Sequence, residues 1–574
     1  MNTEKKTGER LLITLALLSC IGFSAFLLWL QDKQEADREQ LSGQREEPQA
    51  GQIQGTYDQP VQIRTRLTAD PSGEQPVFSL PGGFYPEEIT VEITAPEGCR
   101  IYYTTDGTKP GEDNGTLYEG PVEVTNVCGS PNVYSAVSTV SAYQNYAPLT
   151  TVDKAVVLQA VAVDADGMES AVTCASYFIA MEGKAMYRSL PVLSVTTEPA
   201  GLFDYFEGIY VAGVDYENAL ASNELRSDSA NYYRGGEISA HIEYFETDRY
   251  LTYEGDVTLT LRKDGNLDYG QKSFLFTEAE PVIDDTCELY PYFRNGTMML
   301  YGGGTDHAMK SRQCLEEELL RGRAQGFLSE AMPGCMVFVD GEFWGLYLMR
   351  EAIRPESLAE RAGCAVEEIR MVENAYPSAP EYGELYRLVT EQNAGSEKIY
   401  RQILEQMDVD SFLEYYCANL YFGNPQFDSF STTVWRQEGE DSVGKWHWEF
   451  TDATDTLGRN SLSNYSVNTY LCPQVSGDLF FQGLLKNPDF AESFRRRMQA
   501  YAEEWTREQV EEALTPILEK YRVAVTVTAQ RYGVQQTEEG YLADGDTILT
   551  YFDRRGEYIL RYTQELLNRN AETE

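Results

Sequence analysis

The sequence predicts a multidomain α+β protein in three parts: a transmembrane helix, a small β-sandwich, and a large two-lobed region, β-rich first and helical second. Three observations predict it. Residues 11–30 form an uninterrupted apolar run. Short β-branched runs punctuated by Asp-Gly turns fill residues 76–180. Beyond residue 185 the apolar spacing is strand-like, and near residue 380 it becomes helical.

The apolar run Leu11–Leu30 (LLITLALLSCIGFSAFLLWL) carries no charge. At about 1.5 Å per helical residue it reaches roughly 30 Å, the thickness of a bilayer core. Lys5, Lys6 and Arg10 precede it, and an acidic stretch follows Gln31. Residues 1–10 are therefore expected in the cytoplasm and the remainder outside, with the protein held in the cell membrane by a single pass. Two other readings compete. A cleaved signal peptide needs a shorter core and a small-residue cleavage site, whereas Phe26–Leu30 runs straight into Gln31. A lipoprotein would use Cys20 of Leu17-Leu18-Ser19-Cys20, but the apolar run continues well past that cysteine. Residues 31–75, rich in Gln, Glu, Asp, Arg and Gly, read as a flexible linker that cannot bury enough surface to order itself.

Charge and composition exclude several classes. With 46 basic and 91 acidic residues the formal charge is −45, which repels nucleic acid and anionic headgroups. Nucleic acid is not an expected partner. Of ten cysteines one lies in the apolar run; the other nine show no CxxC pair, so neither a disulfide framework nor a zinc site is legible. One bridge involving Cys99, Cys128 or Cys174 competes with the plainer reading of small buried thiols. His241, His307 and His447 are the only histidines and form no HExxH; GxxxxGK[ST] is also absent. Gly302-Gly303-Gly304 reads either as a turn before a helix or as a weak phosphate loop.

In residues 76–180, the runs Ile89–Ile93, Arg100–Thr105 and Ala155–Val163, with turns at Asp106-Gly107 and Asp164–Gly167, suggest a small antiparallel sandwich. PVFSLPGGFYPEEITVEI, RIYYTTDGTKP, LYEGPVEV and LQAVAVDADGMESAVTCASYFI resemble the chitobiase/β-hexosaminidase C-terminal module. That resemblance implies an immunoglobulin-like spacer or a glycan-contact domain. Tyr102 and Tyr103 are either sugar platforms or simply alternate faces of one strand.

Residues 185–574 divide near residue 380. Strands are expected at Leu190–Thr196, Gly208–Val211, Ile238–Phe245, Val257–Leu261, Ser273–Phe276, Cys335–Val339 and Phe343–Met349, with a helix at Asp306–Arg323. Helices are expected at Tyr386–Met407, Asp410–Phe422, Leu479–Trp505 and Arg507–Tyr521. LPVLSVTTEPAGLFDYFEGIYVAG, HIEYFETD, GQKSFLF, FRNG, VFVDGEFWGLYLMREAI, and GNPQFD followed by GKWHWEFTDATDTLG resemble, in order, the CotH kinase family of spore-coat proteins. LFFQGLLKNPDFAESFRRRM is similar to its C-terminal helical part. The resemblance implies an atypical protein-kinase-like two-lobe domain that uses ATP with Mg²⁺ or Mn²⁺. It also implies a protein substrate of the envelope or spore coat.

Phosphoryl transfer needs a cation on the phosphates, carboxylates for the metal, and a carboxylate near the nucleophile. By resemblance Lys272 faces the phosphates of ATP, Asp428 is the catalytic carboxylate, and Asp452 binds the metal. Read without it, Lys272 is a solvated strand lysine and Asp428 a turn or cap. The chain departs from the family pattern at Thr432 and Thr433, at Asp452-Ala453-Thr454, at Asn266-Leu267, and at Gln313 after Arg312. Asp455 or one of Glu316–Glu318 could compensate. Two readings follow: an active extracytoplasmic kinase, or a kinase-like scaffold without catalysis that binds coat or cell-wall components.

Overall fold

The computed structural model describes residues 75–573 except 182, 227, 263–266, 279–280, 324–331, 374–381, 440–442 and 451–454. The first folded part is a small β-sandwich. One sheet runs, in spatial order, Gly83–Tyr85, Thr173–Ile179, Val156–Val163, Arg100–Thr104 and Thr116–Leu117. Against it lie the pairs Ile89–Val91/Val122–Val124 and Val77–Phe78/Ile93–Thr94. Val91, Val124, Leu158, Ala160 and Tyr177 fill the space between.

Val156–Val163 is buried at every position, which explains why VVLQAVAV lacks the alternation of a half-exposed strand. Its sheet is covered on both faces. The outer face carries Phe178, whose ring sits 5.4 Å from Phe245 and 5.0 Å from Phe338 of the next part of the chain. Burying such a ring stabilises by about 1.5–3 kcal/mol. Tyr103 packs edge-on against Tyr118 toward the sandwich core, whereas Tyr102 points outward beneath the Arg100 guanidinium. The two tyrosines thus occupy alternate faces of one strand.

The β-rich half of the remainder is a closed barrel. Its strands, in spatial order, are Val192–Thr197, Glu237–Phe245, Leu251–Leu261, Phe274–Thr277, Thr297–Tyr301, Glu342–Glu351 and Gly334–Val339. Parallel pairing of the first with the last closes it. Register irregularities at Tyr244/Phe245 and Val337/Phe338 supply bends of the kind closure requires. The Asp340-Gly341 turn joins two of these strands with φ of 46° and 83°, the left-handed pair that a two-residue hairpin demands. Alternation divides the strands cleanly: Cys335, Val337 and Val339 belong to the interior core, and Met336 and Phe338 to the core outside. Residues 126–153 leave the sandwich and cover one end of the barrel, burying Tyr134, Val140 and Tyr146 in the interior core. Glu342 fastens them by accepting the Val133 and Ser135 amides, each at 2.7 Å.

The helical half is built around Val409–Phe422, in which every residue from Ser411 on is buried. Asp408 caps its start and Gly423, at φ 77°, ends it. Pro488–Glu504 begins at an Asn487 cap and turns Phe490, Phe494, Met498 and Tyr501 inward, the spacing of an amphipathic face. Arg507–Arg531 ties helices to barrel. Its Tyr521 and Thr528 hydroxyls accept the Gly334 and Leu346 amides, each at 2.8 Å.

Four expectations need correction. The fold class included a transmembrane helix, but no helix of the described residues is long and apolar enough to cross a membrane. The two longest, Arg507–Arg531 and Glu538–Thr573, carry charges throughout, and Leu11–Leu30 lies outside the described residues. The described chain is mixed α/β around a closed seven-stranded barrel. Gly208–Val211 is not a strand; its Tyr210 is instead buried under Trp344 and Lys272. Leu479–Trp505 is two helices, because Asn487-Pro488 restarts the backbone, and Tyr386–Met407 likewise divides into Gly383–Thr390 and Glu397–Gln406, the second capped by Ser396. All nine cysteines of the described residues are free thiols.

Close helix packing gives a testable detail. Gly483, in Leu479–Leu484, lies against the Val389 carbonyl of Gly383–Thr390, where a β-carbon has no room. Gly→Ala within a helix ordinarily gains about 0.5–1 kcal/mol. Here Gly483→Ala is expected to lose about 1–3 kcal/mol by overpacking. The readout is a lowered urea midpoint at unchanged slope.

Candidate functional site

The residues before the strand Phe274–Thr277 place neighbouring side chains on opposite faces. Gln271 faces the helices: its amide donates to the Leu346 carbonyl at 2.8 Å and its oxygen accepts Lys310 Nζ at 2.9 Å. Lys272 faces the barrel interior. Its ammonium donates to the carbonyls of Val140 (2.6 Å) and Tyr269 (2.8 Å) and lies 4.4 Å and 5.0 Å from the ring centres of Tyr232 and Tyr210. Burial drives this amine down to about 7, with Asp268 opposing only in part. Two of its three protons are committed to main chain, and two rings flank it.

Asp428 sits in a turn. Its carboxylate accepts the amides of Phe430 (2.7 Å) and Ser431 (2.8 Å), and Ser431 Oγ accepts the Asp428 amide. Among the described residues, the contacts of Lys272 and those of Asp428 have none in common. Thr432 is buried with its hydroxyl donating to the Glu449 carbonyl, and Thr433 is paired into a three-stranded sheet with Ile369–Glu373 and His447–Trp448. Asp452, with Ala453 and Thr454, lies outside the described residues.

The residues on either side of that segment lead into a buried charge cluster at the seam between barrel and helices. Arg350 donates to the Phe450 carbonyl at 3.1 Å and pairs with Glu317 at 3.1 Å. Asp455 pairs with Arg459, the Thr456 hydroxyl donates to Glu316, and Arg459 reaches Asp306 at 3.2 Å. Asp306, only 2% exposed, also accepts Arg312, whose fork grips both oxygens of Asp544 at 2.6 Å. Ser311–Leu320 is the helix that carries Arg312, Glu316 and Glu317 inward.

Low dielectric shapes this cluster. Burial raises Asp306 despite Arg312 and Arg459, and it raises Glu316 well above the carboxylate range, with the Thr456 hydrogen bond opposing. Burial lowers Lys310 to about 7, against the pull of Asp306. Burial also pushes Glu449 up to about 7, with Arg361 and the Trp435 indole opposing. Asp306, Asp455 and Asp544 each already hold a guanidinium. Among the described residues no group of three or more His, Cys, Asp or Glu could hold a metal ion. As they stand, the described carboxylates do not fit a divalent cation. Arg459 is the partly exposed cation of the set, and an incoming phosphate would compete with Asp455 for it.

Residues 312–559, from Arg312 into the last helix, match the family model described as CotH kinase protein. The chain carries a CotH kinase domain. Residues 91–177 match a model described as Fn3 associated, which covers most of the sandwich but does not confirm a chitobiase type for it. No curated protein matches the chain. The start of the CotH match coincides with the helix whose Arg312 organises the cluster.

Sequence reasoning reached only part of this cluster. Glu316, Glu317 and Asp455 were identifiable as possible substitutes, and Arg312 as the neighbour of Gln313. Glu318 instead pairs on the surface with Arg321. Asp306, Lys310, Arg459 and Asp544 carried no motif. Asp544 is far along the chain in an amphipathic helix, and only the tertiary fold brings it to Arg312. The one available signal was the acidic spacing Glu316-Glu317 on a helix otherwise facing the core.

Proposed function

We propose that the CotH kinase domain transfers the terminal phosphoryl group of ATP to a hydroxyl of an envelope or coat protein at the seam of barrel and helices. The observation that carries this is the anchoring on both sides of the Asp452 segment. Phe450 is held by Arg350, and Asp455 and Thr456 are held by Arg459 and Glu316. A phosphotransfer site needs positioned cations and carboxylates away from bulk water more than it needs covalent chemistry. In this reading Arg459 meets the phosphates. Asp452 is the carboxylate for the metal that the nucleotide brings, and Asp428 accepts the proton of the attacking hydroxyl. Lys272 acts by tying residues 140 and 269 to the barrel.

Calorimetric titration of the protein with ATP, with and without Mg²⁺ or Mn²⁺, tests the reading. Saturable binding that needs the ion is expected, and Arg459→Gln should weaken it at least tenfold. Absence of binding in every condition would sink it.

A specific observation favours a scaffold without catalysis. Thr432 and Gln313, both at departures from the family pattern, are absorbed into packing, one on the Glu449 carbonyl and one on the Tyr301 hydroxyl. ATP binding without phosphate transfer, or no binding at all, would favour this second reading.

A further inference from the structure

Outside the charge cluster, a cavity of about 400 Å³ opens where residues 148–153, leaving the sandwich, lie beside the helix Arg507–Arg531. Its wall is largely apolar, from Val152, Met186, Phe343, Val523 and Val527. Its volume falls within the range of small-molecule sites, about 300–1,000 Å³. Asp153 and Lys184 also line it and pair with each other; the second oxygen of Asp153 accepts the Tyr187 hydroxyl at 2.9 Å. That pair is internally neutral.

Arg531 also lines the cavity, and it is not neutralised. It is 2% exposed, and among the described residues no carboxylate forms an ion pair with it. Its guanidinium carbon lies 4.2 Å from the Trp344 ring centre and 4.6 Å from that of Tyr532, so two aromatic faces orient the fork. Nη1 donates to the Tyr146 carbonyl at a long 3.3 Å, and Nε has no hydrogen-bond partner among the described residues. The C-terminal carbonyls of its own helix favour a cation here but supply no anion. A buried guanidinium is costly unless paired, and its planar fork matches a carboxylate. In a chain of formal charge −45, an unopposed buried cation on an apolar cavity is a selective feature.

We propose that this cavity binds a small organic carboxylate, its apolar body against Val523, Val527 and Phe343 and its anionic head on Arg531. The site lies between two matched families, the Fn3-associated part and the CotH kinase domain, and is separate from the proposed phosphotransfer seam.

Octanoate, with octanol and octylamine as head-group controls, tests this by calorimetry on the full protein. Octanoate should bind at one site per chain, at least tenfold more tightly than either control. Arg531→Gln should abolish that preference. Because Arg531 also stacks on Trp344, that variant could lose its fold, and Val527→Glu provides the second test. It places a carboxylate one helical turn before Arg531, on the cavity wall, where it would supply the missing counterion. Val527→Glu should keep the melting temperature and eliminate octanoate binding. Equal affinity for octanoate and octanol, no octanoate binding at millimolar concentration, or unchanged octanoate affinity in Val527→Glu would each overturn the proposal. Arg531 would then be only a clamp on the Tyr146 carbonyl.

Discussion

Arg312→Ala is expected to destabilise the protein by about 3–5 kcal/mol, the cost of removing one member of a buried ion pair. Arg312 is 3% exposed and serves both Asp306 and Asp544, so its loss leaves Asp306, itself 2% exposed, with the Arg459 guanidinium alone and takes the fork from Asp544. Replacing Asp306 and Arg312 together should recover part of the loss, because the double variant leaves fewer buried charges without partners. Acid should also narrow the gap between Arg312→Ala and wild type, since protonating Asp306 removes a buried charge that Arg312 no longer offsets. Equilibrium urea unfolding measures all three effects. A penalty under about 1 kcal/mol would mean that water reaches the cluster, as it does for a surface pair.

Lys272→Met is the second large effect. Methionine nearly conserves the volume but leaves the Val140 and Tyr269 carbonyls without their donor, at about 1–3 kcal/mol each. The variant should therefore lose about 2–6 kcal/mol near neutral pH. The pH dependence has a definite sign. The folded amine titrates at about 7, below its ordinary 10.5. Between those values the unfolded chain holds a proton that the folded chain does not, so stability rises with pH by about 1.4 kcal/mol per unit. Below pH 7 both states bind the proton and the full burial penalty is present. Wild type should thus gain on Lys272→Met as pH is raised from 7 toward 10. A difference that is flat over that range would place a permanently charged ammonium in the barrel.

What could be read in advance follows the range of the interactions. Elements set by local pattern were legible: the VVLQAVAV strand, the strands on either side of Asp340-Gly341, and the buried helix ending at Phe422; the restart at Asn487-Pro488 was not. Barrel closure was not, because the parallel pairing of Val192–Thr197 with Gly334–Val339 joins segments separated by well over a hundred residues. The facing of Lys272 was equally hidden, since alternation shows that Gln271 and Lys272 differ without showing which meets the helices. Gly208–Val211 reads as a strand by composition, yet Tyr210 is used as a buried phenol under Trp344. At the seam, Glu316 and Asp455 were visible as acidic residues near motifs, while Arg459 and Asp544 became partners only through the fold.

The most direct measurement is phosphate transfer from γ-labelled ATP to dephosphorylated casein, with Mg²⁺ or Mn²⁺, by wild type, Asp452→Asn and Arg459→Gln. The expected result is labelling by wild type, a loss of at least a hundredfold in Asp452→Asn, and a smaller loss in Arg459→Gln, each assayed at a temperature where the variant is fully folded. Equal labelling by wild type and Asp452→Asn, or none by wild type despite ATP binding, would contradict a phosphotransfer site at this seam.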